Sequence, residues 1–331
     1  MKTIFRFLNT GVMTVAILAV GAVAGFGQDA CADVDGQNAL YTKFTENFQK
    51  KSAADLRIAA DAAKGFLEKF GTCDSVKEQA DYMRPWVPKL EENIKKIEEG
   101  AVMGALFTRF DNAIKTDNAA ELYTVGKEIL AKQPANYNIV VPMGIVGWDL
   151  AAKNNNAHAE DALRYSKMAL DAIKNGTAKA KPSGTYGALK YEFQKDQAIN
   201  ELTYAVGYLT YYYKKDKKGA LPYYYDLAQT GRYKDEPRIY LAIGNYYVDE
   251  AAPIIEEIAK LVQQLNSTTD EAGKTALEGQ VKAKIGMFNG YAERAMDALG
   301  RAHQKATKPT DKALKDSVYK QIQVLYGQRF P

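Results

Sequence analysis

Apolar residues recur at intervals of three and four along nearly the whole chain, and no stretch alternates apolar and polar positions with the period of two that a half-buried strand requires. The spacing predicts an all-α fold. A first hairpin is expected from helices near 36–50 and 53–70, followed by a helical tract over 75–115 in which Pro85 and Pro88, flanking Trp86, mark a kink or a helix start. The charged run 91–99 reads as a solvated face, and the small, apolar run 100–108 as a place where helices cross closely. Asn118 followed by Glu121 has the form of a capping box for a helix ending near Lys132, with Pro134 beyond it.

The pattern continues with Val140, Met143, Gly144 and Gly147 on one predicted helix and Ala162, Ser166 and Ala169 on the next, joined by a polar turn at 153–156. Residues 177–187 form the clearest loop, a candidate rim or hinge, and a helix is expected from about 186 to 213 with Leu202, Ala205, Val206 and Leu209 on its apolar face. Ala220, Tyr224, Leu227 and Ala228 share a face of the helix after it; Gly231 ends that helix and Pro237 opens another carrying Tyr240, Ile243, Gly244 and Tyr247. Ile254, Ile258, Leu261 and Leu265 make a further stripe with Ile255 and Val262, a long tract runs from Glu271 to about Lys305 with Ala292, Met296 and Leu299 at closing-helix spacing, and Leu314, Val318, Ile322 and Leu325 define a last amphipathic helix.

Small and aromatic residues on one helix, a proline, then aromatic, aliphatic, glycine and aromatic positions on the next resemble the tetratricopeptide repeat. The resemblance is clearest over 122–134, 140–169 and 207–247, and it departs from the repeat where Val140 stands at an aromatic position and where linkers vary in length. It implies an irregular α-solenoid of stacked helical hairpins, the last helix capping its open end, and a surface that binds a protein or peptide.

Residues 1–27 read as a secretory signal: Lys2 and Arg6, an apolar stretch over 12–26, then Gly25 and Gly27 at the small positions a signal peptidase needs. Cleavage after Ala24 is the second choice, an uncleaved membrane anchor the alternative. Gln28, Asp29 and Ala30 ahead of Cys31 do not suit a lipobox. Residues 28–331 are then expected as a single exported helical domain, periplasmic or extracellular. Losing Lys2 and Arg6 leaves 42 basic residues against 40 acidic ones, a balance that speaks against a nucleic-acid partner. Cys31 and Cys73 bracket the first hairpin, where the start of one helix lies beside the end of the other, so an oxidising compartment should join them.

Catalytic and metal signatures are absent from the sequence: His158 and His303 stand apart from each other and from any HExxH arrangement, and there is no GxSxG or phosphate-binding loop. We expect neither an enzyme nor a cofactor. The 22 tyrosines change the picture more, because three consecutive residues span about 200° of a helix and one tyrosine in each of the runs 211–213 and 223–225 must leave the core. Tyr212, Tyr225 and Tyr246 are the candidates for an aromatic binding surface, the alternative being that such tyrosines pack between hairpins. The expected function is an exported scaffold or adaptor; self-assembly into oligomers or fibres and glycan capture are the alternatives.

Overall fold

The computed structural model describes residues 30–229 and 231–330, so residues 1–27, expected from the sequence to be a secretory signal, lie outside the described residues. The chain divides after Val102 into two compact units. In the first, α1 (Val34–Asn47) and α2 (Ala53–Phe70) pack together, followed by the short α3 (Lys77–Met83) and the start of α4 (Trp86–Lys115). Asp33 and Ser52 cap α1 and α2 by accepting from the N–H groups of Gly36 at 2.9 Å and Asp55 at 3.1 Å. Phe44, Leu56, Phe66, Phe70, Met83 and Leu90 fill the core. Beside it Cys31 and Cys73 are joined in a disulfide, their Cα atoms 5.5 Å apart, as the hairpin geometry requires.

The tract expected over 75–115 is split at Arg84 and Pro85, because proline has no N–H to continue the helix. Of the close packing expected at 100–108, Leu106 is buried with Met103 and Phe107 against the same core, but the glycines take no part: a Cβ added at Gly100 or Gly104 would have no atom within 4 Å.

The second unit takes up the rest of α4 and continues through α5 (Ala119–Lys132), α6 (Tyr137–Ala152) and α7 (Ala159–Lys174). After a two-stranded antiparallel ribbon, β1 (Thr185–Tyr186) with β2 (Phe193–Gln194), come α8 (Lys195–Tyr208), α9 (Lys217–Gln229), α10 (Pro237–Ser267), α11 (Glu271–Lys305) and α12 (Lys312–Arg329). Each of α6 to α12 packs on the helix before it, and α6 also touches α8. The described residues are therefore all-α apart from the ribbon, which is too short for period-two alternation to register. The ribbon also delays α8 to Lys195: Gly184 and Gly187 sit at φ +78° and +94°, a left-handed conformation that interrupts a helix. The stripes on either side of Tyr247 belong to one helix, α10, which runs through Pro253.

Asn118 caps α5 by accepting from the Glu121 N–H at 3.1 Å, but the return bond of a capping box is not made, since Glu121 instead receives Arg109 Nε at 3.0 Å and Nη2 at 2.8 Å. Gly144 and Gly147 mark the contact of α6 with α7: a Cβ there would lie 2.5 Å from Ser166 Oγ and 2.5 Å from Ala162 Cβ respectively. Val318 and Leu325 of α12 are buried in the same core as Leu299 and Ala302 of α11. No helix among the described residues is long and apolar enough to cross a membrane.

His158, just ahead of α7, stacks on Tyr123 with ring centroids 4.0 Å apart. Burial lowers its pKa, with Asp161 opposing and Lys127 adding to the shift. A folded pKa below the unfolded value of about 6.5 means that the fold binds fewer protons, so this contribution to stability is present above about pH 6.5 and is lost as pH falls through the folded pKa. The thermal midpoint of His158→Gln should fall less between pH 7.5 and 5 than that of the wild type; equal falls would show that His158 does not contribute.

Candidate functional site

From Ala198 to Tyr211 the chain is buried at every position except Ile199, Asn200, Tyr204 and Tyr208. Leu202, Ala205, Val206 and Leu209 are packed into the core, and α8 is covered by α6, α7 and α9. The accessible residues Asn200, Tyr204, Tyr208 and Tyr212 stand four apart, one per turn. Such a row drifts by about 40° per step on an α-helix. Leu209–Tyr213 is a π-helical turn, whose wider coil advances less per residue and offsets that drift. Tyr212 accordingly meets Tyr208, with ring centroids 4.6 Å apart. Beyond its exposed first turn and Ile199, the helix thus shows the solvent one stripe, and that stripe is mostly tyrosine.

Side chains from other elements hold the stripe in place. Trp148 of α6 meets Tyr204 edge-on at 5.2 Å, and Tyr233 stacks on the same ring at 4.8 Å. Tyr233 is itself fixed by Glu201, only 6% exposed, which accepts from Tyr233 Oη at 2.6 Å and from Arg232 Nη1 at 2.8 Å. Arg238, at the start of α10, donates to Glu236 at 2.8 Å and lies 3.6 Å from the buried Asp311.

Trp148 and Glu201 also line a cavity of about 610 Å³ whose other walls include Tyr191, Phe193 and Lys190, at and next to β2. Lys190 pairs with Asp117, which also lines the cavity. The ribbon following the 177–187 loop therefore supplies one rim of the site.

Burial raises the pKa of Tyr204, Tyr208 and Tyr212 above the ordinary phenol value. All three hydroxyls are protonated at neutral pH, and among the described residues none of them has a hydrogen-bond partner. The Trp148 indole N–H is buried and finds no acceptor among the described residues, so it is not part of the accessible face. The face therefore combines aromatic rings with phenol hydroxyls that can both donate and accept and that the fold leaves unpaired.

The three tyrosines singled out from the sequence do not form one surface. Tyr212, 40% exposed, belongs to the stripe. Tyr225, 38% exposed, shares a hydrogen bond of 2.7 Å with Tyr247 and lines a separate cleft of about 460 Å³ with Arg294, Asp297 and Arg301. Tyr246 is only 8% exposed and is a packing residue, its ring 5.1 Å from that of Tyr247. In the two triplets Tyr211 and Tyr224 are buried while Tyr212 and Tyr225 emerge, as helical geometry demands. Tyr204 and Tyr208 were missed, although their i, i+4 spacing to Tyr212 lies opposite the apolar face read from Leu202, Ala205, Val206 and Leu209.

No protein-family model, curated protein or solved structure matches this chain. Among the described residues no group of three or more His, Cys, Asp or Glu side chains is placed to hold a metal ion.

Proposed function

We propose that the chain is an exported, non-catalytic adaptor that captures an extended segment of a partner protein along the tyrosine stripe of α8. In this reading the hairpins α6–α7, α8–α9 and α10–α11 stack as divergent tetratricopeptide-like repeats and present the stripe on a shared face. The observation that carries the reading is the row of Asn200, Tyr204 and Tyr208, part-exposed, and Tyr212, exposed, on a stretch that from Ala198 to Tyr211 is otherwise buried except at Ile199. Tyrosine gives contact area at low entropic cost and suits it to the centre of an interface. The Cys31–Cys73 disulfide supports an oxidising compartment, in keeping with the signal-like residues 1–27.

Panning a displayed library of random peptides against the oxidised chain tests the proposal. Binders should be enriched, and Tyr208→Ala or Tyr212→Ala should weaken them at least about tenfold, a loss of roughly 1.4 kcal/mol or more. Tyr319→Ala, at an exposed tyrosine on α12, should leave them unchanged. A library that yields no binders, or binders indifferent to Tyr208 and Tyr212, contradicts the proposal.

Self-association is a second reading, favoured by Val324, Tyr326 and Phe330, each more than half exposed on or just beyond α12. Light scattering over a range of concentrations separates the two: a constant monomer mass disposes of self-association, whereas ordered growth that Val324→Ser with Tyr326→Ser abolishes would establish it.

A further inference from the structure

We propose that the distal half of the α10–α11 hairpin is a dimerisation arm that packs against the same hairpin of a second copy of the chain, forming a four-helix bundle. The inference is independent of the tyrosine stripe.

The ground is a shortfall of burial in two long helices. Ile254 and Phe288 are buried, but among the described residues none from 255 to 287 is. Ile258, Leu261 and Leu265 of α10, and Leu277 and Val281 of α11, recur at spacings of three and four, yet each reaches only partial burial. Helices in proteins are held mainly by packing of an apolar face, and a pair of helices leaves the flanks of that face open to water. A second pair laid across it closes the core, as in a four-helix bundle.

A further apolar row lies beside this seam. Ile255 and Ile285 line one cleft with Phe288, so they share a side of the hairpin. Val262 stands two turns beyond Ile255 on that side. All three are more than a third exposed. Two helical arms about 20 Å long, lying about 10 Å apart and each about 10 Å across, give this side an outline of about 400 Å². That is small for a specific interface, so the dimer should form at micromolar rather than nanomolar concentration.

Charge makes a second copy the occupant. The arm carries five acidic and four basic residues over 255–287, so two copies do not repel each other. Lys284 pairs with Glu257, and Lys274 with Glu271. Glu278 and Lys282 stand two turns and one turn before Ile285 on α11, and among the described residues neither has an ion-pair partner. They are four residues apart and opposite in sign. A two-fold axis crossing α11 between them sets the helix antiparallel to its copy, so that Glu278 of each meets Lys282 of the other. A partner of different sequence would have to supply the complementary pair; a second copy supplies it by symmetry.

The test is sedimentation equilibrium of the oxidised chain from micromolar to millimolar concentration. The wild type should pass from monomer to dimer and stop at two copies. Val262→Ser with Ile285→Ser should raise the dissociation constant at least about tenfold. Glu278→Lys, which gathers four lysines at the axis, should raise it about fivefold or more, and adding Lys282→Glu should restore the wild-type value. An equimolar mixture of Glu278→Lys chains with Lys282→Glu chains should dimerise more tightly than either variant alone. Thermal midpoints near wild type keep loss of association separate from loss of fold.

A constant monomer mass overturns the proposal. So does a dimer indifferent to Val262 and Ile285, or one that the charge exchange fails to restore. Growth beyond two copies that depends on Val324 and Tyr326 but not on the arm overturns it in favour of open association through α12.

Discussion

Replacing Cys31 and Cys73 together by alanine lowers the stability of the first unit by about 4 kcal/mol, the loop-closure value for a crosslink spanning 42 residues. The unit is small, and its core rests on a few aromatic and aliphatic side chains from α1 to α4, so the loss is a large part of the total stability expected of such a domain. Cys73 is also buried in that core, so removing its sulfur loses packing as well as the covalent link. The two tryptophans make the measurement local. Trp86 packs on the core of the first unit, whereas Trp148 packs on that of the second. In a Trp148→Phe background, urea unfolding followed through Trp86 should show the full shift on removal of the disulfide. A shift under about 1 kcal/mol would mean that the unfolded chain is compact enough to make the link redundant.

Gly147→Ala is expected to cost about 2–3 kcal/mol, although alanine is the better helix former by about 1 kcal/mol. A Cβ there would lie 2.2 Å from Tyr123 Oη, 2.5 Å from Ala162 Cβ and 3.2 Å from the His158 carbonyl oxygen. Only Tyr123 can give way, and it would have to leave its hydrogen bond to the Met143 carbonyl oxygen in the buried core. The contrast is Gly286 on α11, where an added Cβ meets nothing within 4 Å. Gly286→Ala should stabilise the chain by up to about 1 kcal/mol. Denaturant midpoints for the two variants should move in opposite directions; two shifts of the same sign would mean that the α6–α7 contact can open to admit a methyl group.

Elements with local signals are legible in the amino-acid sequence. Helix α2 begins after Ser52, helix α11 after Asp270, and helix α5 after Asn118, each residue capping the helix it precedes. The disulfide follows from the same hairpin logic. Features that depend on what surrounds a segment are not legible. The division within α4 leaves no mark at Val102, because the helix continues through it. Pro253 marks no boundary, being accommodated inside α10.

Helix α8 starts later than the apolar spacing predicts, because the left-handed turns at Gly184 and Gly187 depend on the ribbon they serve. The candidate site shows the same limit. Helical geometry says that some tyrosines must emerge, but whether Tyr246 or Tyr247 turns inward depends on their neighbours in the fold. The stripe of Tyr204, Tyr208 and Tyr212 stands out because α6, α7 and α9 bury most of the rest of α8 from Ala198 onward.

The central claim is that this stripe receives an extended peptide. Its most direct measurement is photocrosslinking: a selected peptide carrying a benzophenone is irradiated with the oxidised chain and the adducts are located by mass spectrometry. Adducts on Trp148, Tyr204, Tyr208 or Tyr212 are the predicted result. Adducts confined to other surfaces, such as the Tyr225 cleft or α12, would contradict it.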